Sequence, residues 1–185
     1  MDLTEKMISR KDLYDGLLCR VHVDEVLLPN GNTSRREVVD HVDGVAVLPL
    51  DERNNVLTVT QYRYVFGKTL LEIPAGKLDE GEDPVTGALR ELKEETGFVA
   101  GRIAYLTTIA TSGGFTDELI HIYLATQLSF EGAQPDEDEF LNVEKHSLET
   151  LTDMVMAGEI DDAKTIIAVL KARRFLEAEG WREKF

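Results

Sequence analysis

Hydrophobic and polar positions change period several times along the chain, and each change predicts an element. Residues 18–28, rich in β-branched and aliphatic side chains, stop at Pro29-Asn30-Gly31-Asn32, and Val38 and Val39 resume the pattern within residues 35–40. This reads as a β-hairpin turning at Asn30-Gly31. Residues 45–50 are continuously apolar and predict a buried strand, followed by a polar turn over 51–55. The next strand, 56–61, places Val56, Thr58 and Thr60 on one face and Leu57 and Val59 on the other. Residues 69–73 form a strand leading into a Pro74-Ala75-Gly76 turn. Residues 103–110 and 119–125 read as strands bracketing a polar loop, and 140–143 as a short strand.

The period then lengthens to that of a helix. Val85, Ala88, Leu89 and Leu92 make an i, i+3, i+4, i+7 stripe, which predicts a helix beginning near Pro84. Asp83 is its N-cap, Pro84 is preset at helical φ, and Gly97 stands where a C′ glycine ends a helix. Gly87 inside the helix costs about 1 kcal/mol relative to alanine, which a close backbone approach would explain. Ser147 caps a second helix carrying Leu148, Leu151, Met154 and Val155 and stopped by Gly158. A third covers residues 163–179, with Ile166, Ile167, Leu170 and Leu176 as its apolar positions and Asp161 or Asp162 as its cap. Strands outnumber helices and no repeat of 20–50 residues appears, so the fold class is α+β, a mixed sheet with helices packed on it.

Composition narrows the function. The chain has 185 residues, 43% hydrophobic and 30% charged, enough for one sizeable core. A net charge of −15 argues against non-specific binding to nucleic acid or to an anionic membrane surface. An anionic substrate would have to be attracted locally, by metal ions and placed arginines. The single Cys19 forms no intramolecular disulfide, and the chain has no 18-residue apolar run and no cleavable signal pattern at its start. The expectation is a cytoplasmic protein.

The chemistry concentrates in residues 76–98. Glu91, Glu94 and Glu95 stand at i, i+3 and i+4, so three carboxylates share one helix face. Like charges so close call for a cation, and hard oxygen donors suit Mg²⁺, with Mn²⁺ as a substitute. Arg90 is placed to pair with Glu94 one turn on and with Glu82 in the preceding loop. Its expected role is to hold the carboxylates.

Gly76, Glu82, Arg90, Glu91, Leu92, Glu94, Glu95, Gly97 and Phe98 match the pattern G-x5-E-x7-R-E-U-x-E-E-x-G-U, with U a bulky apolar residue. This segment resembles the Nudix box. A solvated amphipathic helix is the plain alternative, but such helices more usually alternate charge signs. Further motifs resemble the ADP-ribose pyrophosphatase branch of Nudix hydrolases: Ser34-Arg35-Arg36-Glu37 ahead of Gly44, Gln61-Tyr62-Arg63, Leu71-Glu72-Ile73-Pro74-Ala75-Gly76, the loop 112–118, the acidic run 136–140 and Asp161-Asp162-Ala163-Lys164-Thr165. One position departs. The branch usually carries Pro-Gly where this chain has Gly113-Gly114.

The resemblance implies a Nudix fold, a mixed sheet sandwiched between helices. It also implies an N-terminal hairpin extension over 1–43, serving dimerisation and substrate binding, ahead of a hydrolase domain over 44–185. The implied reaction is Mg²⁺-dependent hydrolysis of ADP-ribose to AMP and ribose 5-phosphate, by a homodimer joined through its N-terminal strands. Glu91 and Glu95 are the first-choice metal ligands, with Glu94 and Glu82 as ligands or supporting partners and the Ala75 carbonyl as a backbone ligand. Glu139 is the favoured general base and Glu137 its reserve; the alternative for this run is a solvated loop. Arg63 and Arg36 are implied to hold ribose or phosphate, the alternative being surface ion pairs. Glu72 either accepts from a ribose hydroxyl or pairs with Arg63. Gly114 is implied at the substrate, and Glu118 lies near the metal or caps its own loop. His22, His41, His121 and His146 lack metal-ligand spacing and read as structural or surface residues, Trp181 as packing and Lys164 as a structural helix-start residue. Two other functions stand beside this one: hydrolysis of another nucleotide sugar or dinucleotide, and a catalytically silent nucleotide sensor. The full set of box carboxylates argues against the sensor.

Overall fold

The computed structural model describes residues 1–132 and 140–177. The chain divides into two units, Met1–Asp43 with Ala110–Leu119 and Gly44–Ile109 with Ile120–Phe185. The first unit is built on three antiparallel strands, β1 Lys6–Asp15, β2 Cys19–Leu27 and β3 Thr33–His41, in the order β1-β2-β3. The β2–β3 hairpin turns where expected. Gly31 has φ 87°, a left-handed conformation that glycine adopts without penalty, and its N–H donates to the Leu28 carbonyl at 2.9 Å. Strand β1 was not expected. All ten of its residues are exposed, so it has no alternation of buried positions from which to read it.

The second unit contains β4 Gly44–Pro49, β5 Asn55–Arg63, β6 Lys68–Glu72, β7 Ala75–Lys77, α1 Pro84–Thr96, β8 Phe98–Ala110, β9 Leu119–Phe130, β10 Leu141–Ser147, α2 Leu148–Ala157 and α3 Ala163–Leu176. Its sheets run β7-β4-β9-β8 and β10-β5-β6. The first is mixed: β4 is parallel to β9 and antiparallel to β7. Strand β4 is buried throughout, and the two-residue period of a strand gives each of its faces a different helix layer. Val45 and Val47 pack with Ala88 and Leu92 of α1. Ala46 and Leu48 belong to the larger cluster with Leu148 and Leu151 of α2 and Ala168, Val169 and Ala172 of α3. The expected arrangement of a mixed sheet between helices is therefore present.

Two details differ from expectation. The last strand starts at Leu141, with Phe140 exposed outside it, and continues to Ser147, paired along β5 from Gln61 to Asn55. Helix α3 turns Thr165, Ala168, Val169 and Ala172 into the core, while Leu170 is 39% exposed and Ile166 and Ile167 are only partly buried. Small side chains let the helix lie close to the sheet, so bulk was a poor guide to which face is buried.

Candidate active site

Helix α1 has both of its expected ends. The Asp83 carboxylate accepts from the N–H groups of Val85 and Thr86 at 3.1 and 3.2 Å, and Gly97, at φ 75°, donates to the Lys93 carbonyl at 2.8 Å. Its apolar stripe fixes the helix on β4, and this leaves the carboxylate face against β7 and the loop before the helix. Gly87 is explained by that loop. A Cβ there would lie 2.6 Å from Leu78 Cδ2 and 3.0 Å from Glu82 Oε2.

Arg90 organises the acidic groups. Its Nε and Nη2 donate to the two oxygens of Glu82 at 2.9 Å each, Nη1 donates to Glu91 and Glu94 at 2.7 and 2.9 Å, and Nη2 also reaches the Lys77 carbonyl at 3.0 Å. Hydrogen bonds from Arg90 are the chief reason the Glu82 carboxyl is held down at about 2. The bonds to Glu82 foremost, then those to Glu91 and Glu94, raise Arg90 well above its ordinary value. Glu95, buried, accepts from the Ala75 N–H at 3.2 Å, and Ala75 pairs with Ala46 across β4–β7. The Glu91 carboxylate lies over Gly76, where a Cβ would fall 2.0–2.5 Å from its atoms. The glycine is a cradle for that carboxylate.

The expected ligands Glu82, Glu91, Glu94 and Glu95, together with Ala75, are thus brought to one place. Among the described residues no group of three acidic, imidazole or thiol side chains converges as a ready metal cage, and Arg90 holds three of these carboxylates. The donor set nevertheless fits a hard divalent cation. Three carboxylates pair with one guanidinium, the fourth, Glu95, accepts from the Ala75 N–H, Glu91 and Glu95 are buried, and all donors are oxygen.

A second cluster joins β5, β6 and α3. Arg63 Nε and Nη2 donate to the two oxygens of Glu72 at 2.7 Å each, and Lys164 Nζ donates to Glu72 and, at 2.9 Å, to Asp162. Burial works to raise the Glu72 carboxyl, but Arg63 and Lys164 together outweigh it and the net direction is down. Arg63 is raised, chiefly by its bonds to Glu72, with the charges of Glu95 and Asp162 adding to the effect. Arg63 therefore lies within the electrostatic reach of the box carboxylate Glu95. Asp162, not Asp161, caps α3, accepting from Thr165 N–H at 2.9 Å, and Asp161 pairs with Lys68.

Residues 40–169 match the model of the NUDIX domain, and residues 5–39 match that of the nucleoside diphosphate sugar hydrolase N-terminal domain. The chain belongs to the Nudix family. It is 41% identical over 181 residues to an ADP-ribose pyrophosphatase of Bacillus subtilis (strain 168), covering 96% of this chain and 98% of that one. It is 44% identical over 167 residues to a methanol dehydrogenase activator of Bacillus methanolicus, covering 89% and 90%. A solved structure of an ADP compounds hydrolase shares the fold at a TM-score of 0.86 and 21% identity, covering 98% of this chain and 99% of the other. Nudix ADP-ribose pyrophosphatases generally use a divalent metal.

The remaining Nudix site expectations fall elsewhere. Glu137, Glu139 and Trp181 lie outside the described residues. Arg36, Gly114 and Glu118 belong to the first unit. There Arg36 forms a bidentate pair with Glu5 at 2.5 and 2.9 Å, the surface ion pair that was its alternative. Gly114 lies in a turn closed by Phe115 N–H donating to the Ser112 carbonyl at 3.1 Å, and a Cβ on Gly113 or Gly114 would meet nothing. Glu118 lies 3.4 Å from His41 Nδ1, and its N–H donates to Thr116 Oγ1 at 3.2 Å. His22 is buried between Asp24 and Asp40, at 3.0 and 3.2 Å, a structural role as expected. Sequence reasoning missed the tie of Lys164 to Glu72. A signal was available, since a lysine in the first turn of a helix opposes the macrodipole and needs a partner.

Proposed function

We propose that this chain is a Mg²⁺-dependent pyrophosphatase that hydrolyses ADP-ribose to AMP and ribose 5-phosphate. The observation that carries the reading is the set Glu82, Arg90, Glu91, Glu94 and Glu95 gathered over the Gly76 cradle, and the 41% identical ADP-ribose pyrophosphatase supports the substrate. Glu91 and Glu95 would hold the cation first, with Glu94, Glu82 and the Ala75 carbonyl completing the donors. Bound there, a divalent ion supplies neutralisation of phosphate charge and acidification of water. Arg90 keeps the carboxylates in position, Arg63 would meet phosphate or ribose oxygens beside its pair with Glu72, and Arg36 would do so by exchanging its pair with Glu5 for substrate. Glu72 orients Arg63, Gly114 and Glu118 would contact the substrate, and Glu139, or Glu137 in reserve, would be the general base. Phosphoryl chemistry of this kind asks the protein mainly for positioning and electrostatics.

The protein acts in the cytoplasm as a homodimer, with residues 1–43 as the extension that joins the copies. Support comes from β1, whose exposed Met7, Ile8, Leu13 and Tyr14 are apolar surface of the kind a partner covers. Among the described residues no helix is long and apolar enough to cross a membrane.

A second reading keeps the chemistry and changes the substrate to another nucleotide sugar or a dinucleotide. It is favoured by Gly113 where the branch carries proline. The test is to incubate the purified protein with Mg²⁺ and a panel of nucleoside diphosphate derivatives and to resolve the products chromatographically. AMP and ribose 5-phosphate from ADP-ribose are expected. Preference for a non-adenine substrate removes the first reading, and no turnover of any compound removes both.

A further inference from the structure

The fork between Arg63 and Glu72 leaves part of the guanidinium unused. Nε and Nη2 bond to the two carboxylate oxygens, Nη1 makes no hydrogen bond to a described residue, and the side chain is 37% exposed. Lys164 shares the buried Glu72 carboxylate with Arg63 and also donates to Asp162 at 2.9 Å, so two cations meet two carboxylates and the geometry of each pair is tied to the others. The amine is itself nearly buried at the second residue of α3, where the helix dipole disfavours positive charge, and it is held there by Glu72 together with the N-cap Asp162. The same turn of α3 grips the end of β6: Ile73 N–H donates to Thr165 Oγ1 at 2.8 Å, three residues before Gly76. Two cations on one carboxylate fix its plane, and a bidentate fork transmits that plane to Arg63.

We propose that Lys164 is a positioning residue of this site: through Glu72 it fixes the plane of the Arg63 fork, and so the place at which Arg63 meets the phosphate in the non-adenylate half of the substrate. This rests on the reading that the substrate is ADP-ribose and that Arg63 meets its ribose 5-phosphate half.

The test is steady-state ADP-ribose hydrolysis by the full chain with Mg²⁺, comparing Lys164→Met, Arg63→Gln and the double variant, with ribose 5-phosphate and AMP as inhibitors. Lys164→Met is expected to raise KM about tenfold with kcat changed less than about threefold, the scale of one charge-assisted contact. Inhibition by ribose 5-phosphate weakens by a similar factor and inhibition by AMP does not move. In the Arg63→Gln background the Lys164 change adds less than about twofold, because the two residues act as one unit. Additive effects, equal weakening of both inhibitors, or a loss in kcat alone would overturn the proposal, since each describes a general structural role. If the methionine variant does not fold, Lys164→Gln, which keeps a donor and drops the charge, carries the same expectation. Unfolding of both assigns the amine to stability and overturns the proposal. The underlying reading fails by different signs: wild-type protein that does not cleave ADP-ribose, or Arg63→Gln with unchanged KM and inhibition, takes the proposal down with it. An Arg63 effect without a Lys164 effect removes the proposal alone.

Discussion

The Glu91 carboxylate occupies the space that a side chain at position 76 needs: a Cβ on Gly76 would lie 2.0 Å from Glu91 Oε1. The clash is with the far end of a flexible side chain, so relief comes from moving the carboxylate, not the backbone. Gly76→Ala is therefore expected to cost little stability, within about 1 kcal/mol by denaturant unfolding, yet to lower kcat/KM by about 10²-fold or more by misplacing a metal donor. Near-wild-type activity in the folded variant would show that the position of Glu91 does not matter.

Glu95 is buried, and its Oε2 accepts from the Ala75 N–H. Glu95→Gln keeps the shape and offers an amide oxygen to the same N–H, so the fold is expected to persist while kcat falls by at least ~10²-fold. Chelation of divalent metal from the wild-type protein is expected to abolish turnover reversibly, with activity regained on adding Mg²⁺. Turnover of the Glu95 variant within a few fold of wild type would take this residue out of the metal site.

Much of this was legible because it is local. Asp83, Pro84 and Gly97 mark the ends of α1 within the helix's own sequence, and Gly31 marks the hairpin turn, since capping and turn geometry act over a few residues. The burial of β4 on both faces follows from its length and apolarity. What was hidden is non-local. Lys164 and Glu72 stand 92 positions apart and Arg36 and Glu5 stand 31 apart, and no periodicity reports which charge meets which. Burial patterns also say nothing of β1, which buries no residue, and misassign α3, where Ala168 and Ala172 win the core over Leu170 because they allow a closer approach.

Gly113 is the first inner residue of the turn that runs from Ser112 to Phe115, a place where proline is favoured. Its φ is not positive, its N–H makes no hydrogen bond to a described residue, and a Cβ there meets none of them. Gly113→Pro is thus expected to stabilise the protein by ~0.4–1 kcal/mol, through reduced freedom of the unfolded chain. Thermal unfolding of the two proteins checks this, and a lower melting temperature for the variant would mean that the glycine is needed for its conformation. The same variant tests the substrate question, because a shift in preference across the nucleotide panel would tie this turn to selectivity.

Asp51 closes the turn between β4 and β5 and reaches β10. Its carboxylate accepts from the N–H groups of Arg53 and Asn55 at 2.8 Å each, from the Asn55 side chain and, at 3.2 Å, from Lys145. Burial pushes the carboxyl up, but these donors, Asn55 foremost, outweigh it and hold the group at about 2, against 3.8 when unperturbed. A depressed carboxyl stabilises the fold above its unfolded value, and that stability is lost as pH falls through the folded value. A tenfold change in proton affinity between the unfolded and folded chains corresponds to about 1.4 kcal/mol, so the contribution at neutral pH is about 2 kcal/mol. Asp51→Asn is accordingly expected to lower stability by about that amount at pH 7, and the gap from wild type should close between about pH 4 and about pH 2. Urea unfolding of both proteins across this range measures the gap directly. A gap that stays constant with pH would mean that Asp51 acts through the shape of its turn and not through its charge.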